Sequence, residues 1–120
     1  GRKIAVLGDM MELGKHSAEE HYKTGKVVAE VCEILVTVGI RSRKMAEGAQ
    51  DALMSEKNIF QFEDSLSAGK WLQDIMRQDD VILVKGSQSV RMERVVEEVM
   101  LEPEKAKELL VRQEEEWLNI

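Results

Sequence analysis

The sequence predicts an α/β fold: an open, mainly parallel β-sheet flanked by helices. Three observations carry this. Four short β-branched, Gly-bounded runs alternate strictly with stretches of helical period. Three of those runs are almost continuously apolar, as in strands with helices on both faces. The chain has 120 residues, 43% hydrophobic and 33% charged, which is the size of one domain with its own core.

The strand signals are Lys3–Gly8 (KIAVLG), Ile34–Gly39 (ILVTVG), Asn58–Glu63 (NIFQFE) and Asp80–Gly86 (DVILVKG). The first helix is expected over Ser17–Glu33, where Ala18, Tyr22, Gly25, Ala29 and Cys32 step by four and three along one face. Ser17 and Glu20 have capping-box spacing, and Gly25 is expected to let the helix approach the sheet. The second helix, Arg41–Met54, carries Met45, Ala49 and Leu53. The third, Asp64–Arg77, carries Leu66, Gly69, Leu72 and Met76, with Asp64 or Ser65 as cap. The fourth, Ser89–Met100, carries Met92, Val95, Val96 and Val99. The order βαβαβαβα needs helical crossovers between parallel strands, which gives a Rossmann-like sheet. A last helix is expected over 102–120. Pro103 suits a first helical position, and Ala106, Leu109, Leu110 and Trp117 share a face. Residues 102–116 hold six acids against three bases, half of the net charge of -6. This helix either packs on the domain with a solvated acidic face or binds a partner.

The acidic balance argues against nucleic acid or an anionic membrane as partner. One Cys permits no internal disulfide, and no apolar run approaches the ~20 residues that span a bilayer. A cytoplasmic domain is the expectation.

In an open parallel sheet, ligands bind beyond the carboxyl ends of the strands. Gly8-Asp9-Met10-Met11-Glu12-Leu13-Gly14 follows the first strand, Gly39-Ile40-Arg41-Ser42 the second, Asp64 the third and Lys85-Gly86-Ser87-Gln88-Ser89 the fourth. Asp9 and Glu12 could orient an amine, a ribose hydroxyl or a magnesium ion, or satisfy backbone N–H groups in a turn. Lys85, with Gly86 and Ser87 opening a helix, suits a carboxylate or phosphate; the plainer reading is a Lys that snorkels to solvent beside an ordinary cap. The segment is not a P-loop, because Lys precedes Gly, and the G-x-G-x-x-G fingerprint is absent. Tight nucleotide binding by these residues alone is not expected. His16 and His21 are five apart, which does not align them as metal ligands, and no metal site is expected. His21 is expected near the first loop or lining the cleft. Cys32 lies on the apolar stripe and reads as inert.

Residues 1–14 (GRKIAVLGDMMELG), continuing to His21-x-x-x-Gly25, together with 81–96 (VILVKGSQSVRMERVV), resemble the C-terminal domain of the Mur ligases. Gln88 stands where the family usually has Arg, and Val90 where it often has Met; Lys85, Gly86, Ser87, Arg91, Met92 and Glu93 match. The similarity is strongest to the branch that joins D-alanyl-D-alanine to UDP-MurNAc-tripeptide. It implies the family's domain over residues 1–101, without the helix and the Tyr-Asn-Ala-Asn-Pro segment that precede the first strand, followed by an acidic helix over 102–120. It also implies that the N-terminal and central domains, the chain's partners in the parent enzyme, lie elsewhere, so the isolated chain is expected to be inactive. ATP and magnesium would be bound mainly by the central domain. The ligation would activate a peptide carboxylate as an acyl phosphate and bring the dipeptide amine to it. By position, the resemblance implies substrate contacts from Asp9, Met10, Glu12, Leu13, His21, Lys85, Gly86, Ser87 and Arg91.

Two other classes compete. A receiver-like signalling domain also has acids after its first strand and a late Lys, but it needs a phospho-acceptor Asp at the end of a middle strand. The candidates there are Gly39-Ile40 and Asp64, and Asp64 reads as a cap. A non-catalytic binding or scaffolding module would look the same in these residues.

Overall fold

Strand β1 (Lys3–Gly8) lies in the middle of a parallel sheet, with β2 (Ile34–Val38) on one side and β4 (Val81–Lys85) on the other. The strand order is β3-β2-β1-β4-β5, with β3 at Ile59–Phe62 and β5 at Leu110–Gln113. The structure is a computed structural model, and it describes residues 1–86, 91–100 and 110–113.

The apolar runs explain this order. Ile4–Gly8 of β1 and the whole of β2 are buried. Their side chains alternate between two cores. Ile4, Val6, Ile34, Val36 and Val38 pack with Ile82 and Val84 against α3 (Ser65–Ile75) and α4 (Glu93–Met100). Ala5, Leu7 and Leu35 pack on the opposite face against Val28 of α1 (Ser17–Val31) and Met45 and Ala49 of α2 (Arg43–Asp51). Each such buried aliphatic side chain contributes about 1.5–3 kcal/mol. Strand β4 is buried only at Ile82 and Val84; Val81, Leu83 and Lys85 are half-buried, because the α1/α2 layer centres on β1 and β2. Strand β3 has one edge without a neighbouring strand among the described residues and is only partly buried, with Trp71 of α3 laid against Phe60 and Phe62 at centroid distances of 4.3 and 5.7 Å.

Several local expectations change. Gly25 does not serve an approach to the sheet. A Cβ there would stand 1.9 Å from the Met45 carbonyl oxygen, and one at Gly48 would stand 2.0 Å from the Tyr22 carbonyl oxygen. The two glycines therefore let α1 and α2 meet backbone to backbone. Tyr22 donates a short hydrogen bond to Asp51 across the same contact, and that bond pushes the Tyr22 phenol up. Ser17 forms no capping box. A 3₁₀ turn over Met11–His16 runs straight into α1, and the Ser17 hydroxyl turns to His21. Helix α2 ends at Asp51, so Leu53 leaves the expected stripe: it adopts φ 73° and is 92% exposed. Ala18 is also exposed, Cys32 is half-buried just past α1, and Leu66 is 41% exposed. Asp64 is the cap of α3. The expected helix over 102–120 gives way, at Leu110–Gln113, to β5, which pairs in parallel with β4. The outer side of β4 offers unpaired N–H and C=O groups, and a strand satisfies them where a helix cannot. The rest of 102–120 lies outside the described residues, as do Ser89 and Val90 of the fourth helix signal.

At the amino ends of β1 and β4, Arg2 grips Asp80 bidentately, Nε to Oδ1 at 3.0 Å and Nη2 to Oδ2 at 2.7 Å. Arg2 also donates to the Ile75 carbonyl, and Asp80 accepts the Arg77 amide. Burial alone would push the Asp80 carboxyl up. The hydrogen bonds from Arg2 and Arg77 and the guanidinium charge outweigh it and hold the group below the usual carboxylate value.

Two outcomes follow from these contacts. Gly48→Ala should drive the α1 and α2 backbones apart and lower stability by about 1–3 kcal/mol in urea unfolding, despite the better helix propensity of Ala. Asp80→Asn should cost about 2 kcal/mol at neutral pH. The Asp80 contribution is whole above its unfolded value of about 3.9 and is lost as pH falls through the lower folded value. Unfolding followed from pH 5 to pH 2 should therefore show a shallower acid limb in the variant than in the wild type.

Candidate functional site

The chain runs outward from β1 to β2 and β3, then returns to place β4 on the other side of β1. The carboxyl ends of β1 and β4 therefore flank the point where the winding reverses, the place where open α/β sheets form a crevice. Leu7 pairs with Lys85, so the turns that begin at Gly8 and Gly86 leave the sheet side by side. Lys85 shares the sheet face of Leu7, the face covered by α1 and α2, and is half-buried; Gly86 is buried.

On the β1 side, Asp9 is only 5% exposed. Its Oδ1 accepts the Ser42 amide at 2.7 Å, just ahead of α2, and its Oδ2 lies 3.9 Å from Arg41 Nη1. Ser42 is buried as well, and its hydroxyl donates to the Gly39 carbonyl at 3.0 Å. Gly39 makes room for this brace. Its φ is 108°, and a Cβ there would strike the Asp9 carboxylate at 2.6 Å. Of the two sequence readings of Asp9, the turn-bracing one describes Oδ1. Arg41, half-exposed on the rim, also donates to Met11 Sδ at 3.1 Å.

Met10 is half-buried against the α1/α2 core, and its amide donates to His21 Nε2 at 3.0 Å. His21 is fully buried, so it neither lines the cleft nor offers an open face to a ligand; its ring is enclosed between the first loop and α1. The backbone of Glu12 and Leu13 belongs to the 3₁₀ turn, which Gly14 helps to close with φ 55°. Their side chains, and the whole of Ser87, lie outside the described residues.

Arg91 is exposed, has φ 52°, and pairs with Glu93 at 3.2 Å. The expected set thus divides. The structure brings Asp9, Met10, Lys85 and Gly86 to one edge, buries His21 behind it, and turns Arg91 to its own helix. Arg41 and Ser42 belong to the rim, although the sequence reading gave them no role. The signal available was a Gly and a Ser three apart after a buried strand, which marks a turn. Asp64 places Oδ1 on the Ser67 amide at 2.7 Å and Oδ2 on the Ser67 hydroxyl at 3.1 Å. Those bonds hold its carboxyl below the usual range, and they leave it a cap rather than a phospho-acceptor. Among the described residues, no cluster of three or more His, Cys, Asp or Glu could hold a metal ion, and no helix is long and apolar enough to cross a membrane.

Residues 1–88 match the family model described as Mur ligase, glutamate ligase domain. The chain belongs to this family. It is 32% identical over 95 residues to the UDP-N-acetylmuramoyl-tripeptide--D-alanyl-D-alanine ligase of Treponema pallidum, covering 78% of this chain and 20% of that protein. It is 26% identical over 104 residues to the enzyme of the same name from Bacillus subtilis, covering 86% and 22%. The chain therefore spans about a fifth of the length of these relatives. The fold agrees. MurF from Acinetobacter baumannii superposes with a TM-score of 0.72 at 29% identity, covering 84% of this chain and 22% of that one. MurF from Thermotoga maritima, solved in complex with ADP, gives 0.67 at 30% identity, covering 88% and 23%. The expected Mur ligase resemblance and α/β class both hold.

The brace at the rim of this Mur ligase domain can be tested by itself. Asp9→Ala should cost about 1–3 kcal/mol, because it strands the buried Ser42 amide. Gly39→Ala should cost about 1–3 kcal/mol through backbone strain and displacement of the same carboxylate. Both act on one contact, so the double variant should fall short of the sum when measured by urea unfolding.

Proposed function

We propose that this chain is the C-terminal, substrate-closing domain of an ATP-dependent ligase that adds D-alanyl-D-alanine to UDP-MurNAc-tripeptide in peptidoglycan precursor synthesis. The observation that carries the reading is the pairing of Leu7 with Lys85, which sets the acid-bearing turn and the Lys-bearing turn beside each other at the sheet's point of reversal.

ATP supplies the phosphoryl group that activates the peptide carboxylate. The residues present suit a supporting contact with such an anion rather than a whole nucleotide site. Lys85 offers a cation beside Gly86, and no P-loop is present. Magnesium belongs with the parent enzyme's central domain. Asp9 has one oxygen on the Ser42 amide and the other facing Arg41, which is a poor donor set for a cation.

In this reading Lys85, Gly86 and Ser87 hold a carboxylate or phosphoryl oxygen. The loop Met10–Leu13 faces the incoming dipeptide, and Asp9 fixes that loop to the turn after β2. Arg91 acts through Glu93 at the start of α4 rather than on substrate. The domain works by positioning: it brings the amine to the acyl carbon and keeps water from the intermediate. The enzyme's own N-terminal and central domains are its partners. A cytoplasmic setting accords with the lone Cys32 thiol.

Lys85→Ala in the parent ligase should lower kcat/KM by about a hundredfold or more, as expected for a lost charge at a reacting anion. An unchanged kcat/KM would remove Lys85 from the site. Titration of the isolated chain with D-alanyl-D-alanine should show weak binding at most, and tight ATP binding by residues 1–120 would contradict the proposal.

A further inference from the structure

His21 is the one fully buried imidazole of the described residues, and the ligation chemistry above makes no use of it. Its two nitrogens reach two different pieces of the fold. Nε2 lies 3.0 Å from the Met10 amide, in the loop after β1. Nδ1 lies 2.6 Å from the Ser17 carbonyl and 3.2 Å from the Ser17 hydroxyl, in the first turn of α1. An amide N–H can only donate, so Nε2 must accept and carries no proton. In a neutral ring the proton is then on Nδ1, where the Ser17 carbonyl is a fitting acceptor. This is the tautomer less favoured by a free histidine side chain, so the surroundings select it.

The contact falls at a sensitive place. Asp9 holds the loop to the Ser42 turn from one residue away, and beyond Met10 the chain enters the 3₁₀ turn that carries Glu12 and Leu13. Met10 has a β-region backbone, φ -97° and ψ 106°, and its own side chain caps no N–H of this turn. Without an acceptor at Nε2 its amide would be a part-buried donor with nothing to meet. The ring thus ties the ligand-edge loop to the body of α1, which is itself interlocked with α2 at Gly25 and Gly48.

We infer that His21 is a positioning residue: its Nδ1–H tautomer fixes the backbone of the loop after β1 by accepting the Met10 amide. The bearing of this clamp on ligation rests on the function proposed above; the clamp itself does not.

Two variants separate the halves of the contact. Glutamine can place an amide oxygen near the Nε2 position and so still accept from Met10. Asparagine can place a donor near the Nδ1 position but does not reach the loop. In residues 1–120, nitrogen-detected NMR of the ring should show a protonated Nδ1 and an unprotonated Nε2. Amide hydrogen exchange should show Met10 about tenfold or more faster in His21→Asn, beyond any change at the core amide of Val36, with His21→Gln closer to the wild type. A protonated Nε2 overturns the inference, and so does Met10 exchange that merely tracks Val36 or is equal in the two variants. In the parent ligase, His21→Asn should raise KM for the dipeptide more than it lowers kcat, with partial rescue by Gln. Met10 exchange accelerated as expected in His21→Asn, with KM unmoved in that same variant, would count against the loop's role in ligation and leave the positioning role standing.

Discussion

Strand β1 is hydrogen-bonded on both sides and packed on both faces, and the placement of every other element depends on that constraint. Its two neighbours come from opposite directions of winding, β2 next in the chain and β4 after a long excursion. Alternation along six residues divides its side chains between two cores, Ile4 and Val6 toward α3 and α4, Ala5 and Leu7 toward α1 and α2. A shift of one residue in β1 would invert both cores at once, so the register is set by burial. The same register brings the ends of β1 and β4 together, and that adjacency is a by-product of filling the two cores.

The ends of that strand pair are treated differently. At the amino end, Arg2 and Asp80 close the seam with a charged, nearly buried clasp. At the carboxyl end, the polar groups are spent on loops: Asp9 on Ser42, His21 on Met10. The sheet is thus pinned at the edge where nothing is expected to bind and shaped at the edge where something is.

The strands were legible in the sequence because burial on both faces writes a continuous apolar run, and β1 was legible to the residue. Helix ends were less so. Leu53 fits the period of α2, yet the chain turns through a left-handed residue before reaching it, and period alone carries no stop signal. The residues at 110–113 fit a helical stripe and a strand alike, and only the open side of β4 decides between them. The site was half legible. The rule that ligands bind beyond strand ends points to four loops, and the strand order sets two of them side by side. What each side chain does there depends on contacts distant in sequence. Nothing near Asp9 announces Ser42, 33 positions on, and nothing near His21 tells which nitrogen meets Met10.

Among the described residues, strand β3 leaves one row of backbone donors and acceptors without a neighbouring strand, and such a row invites another chain to pair with it. The strand is only four residues long, Glu56 and Lys57 stand exposed before it, Glu63 and Asp64 after it, and Gln61 points outward in its middle. A second copy approaching this margin would find a very short ladder with charged residues at both ends. An edge this short and flanked by charge is a poor template for another strand.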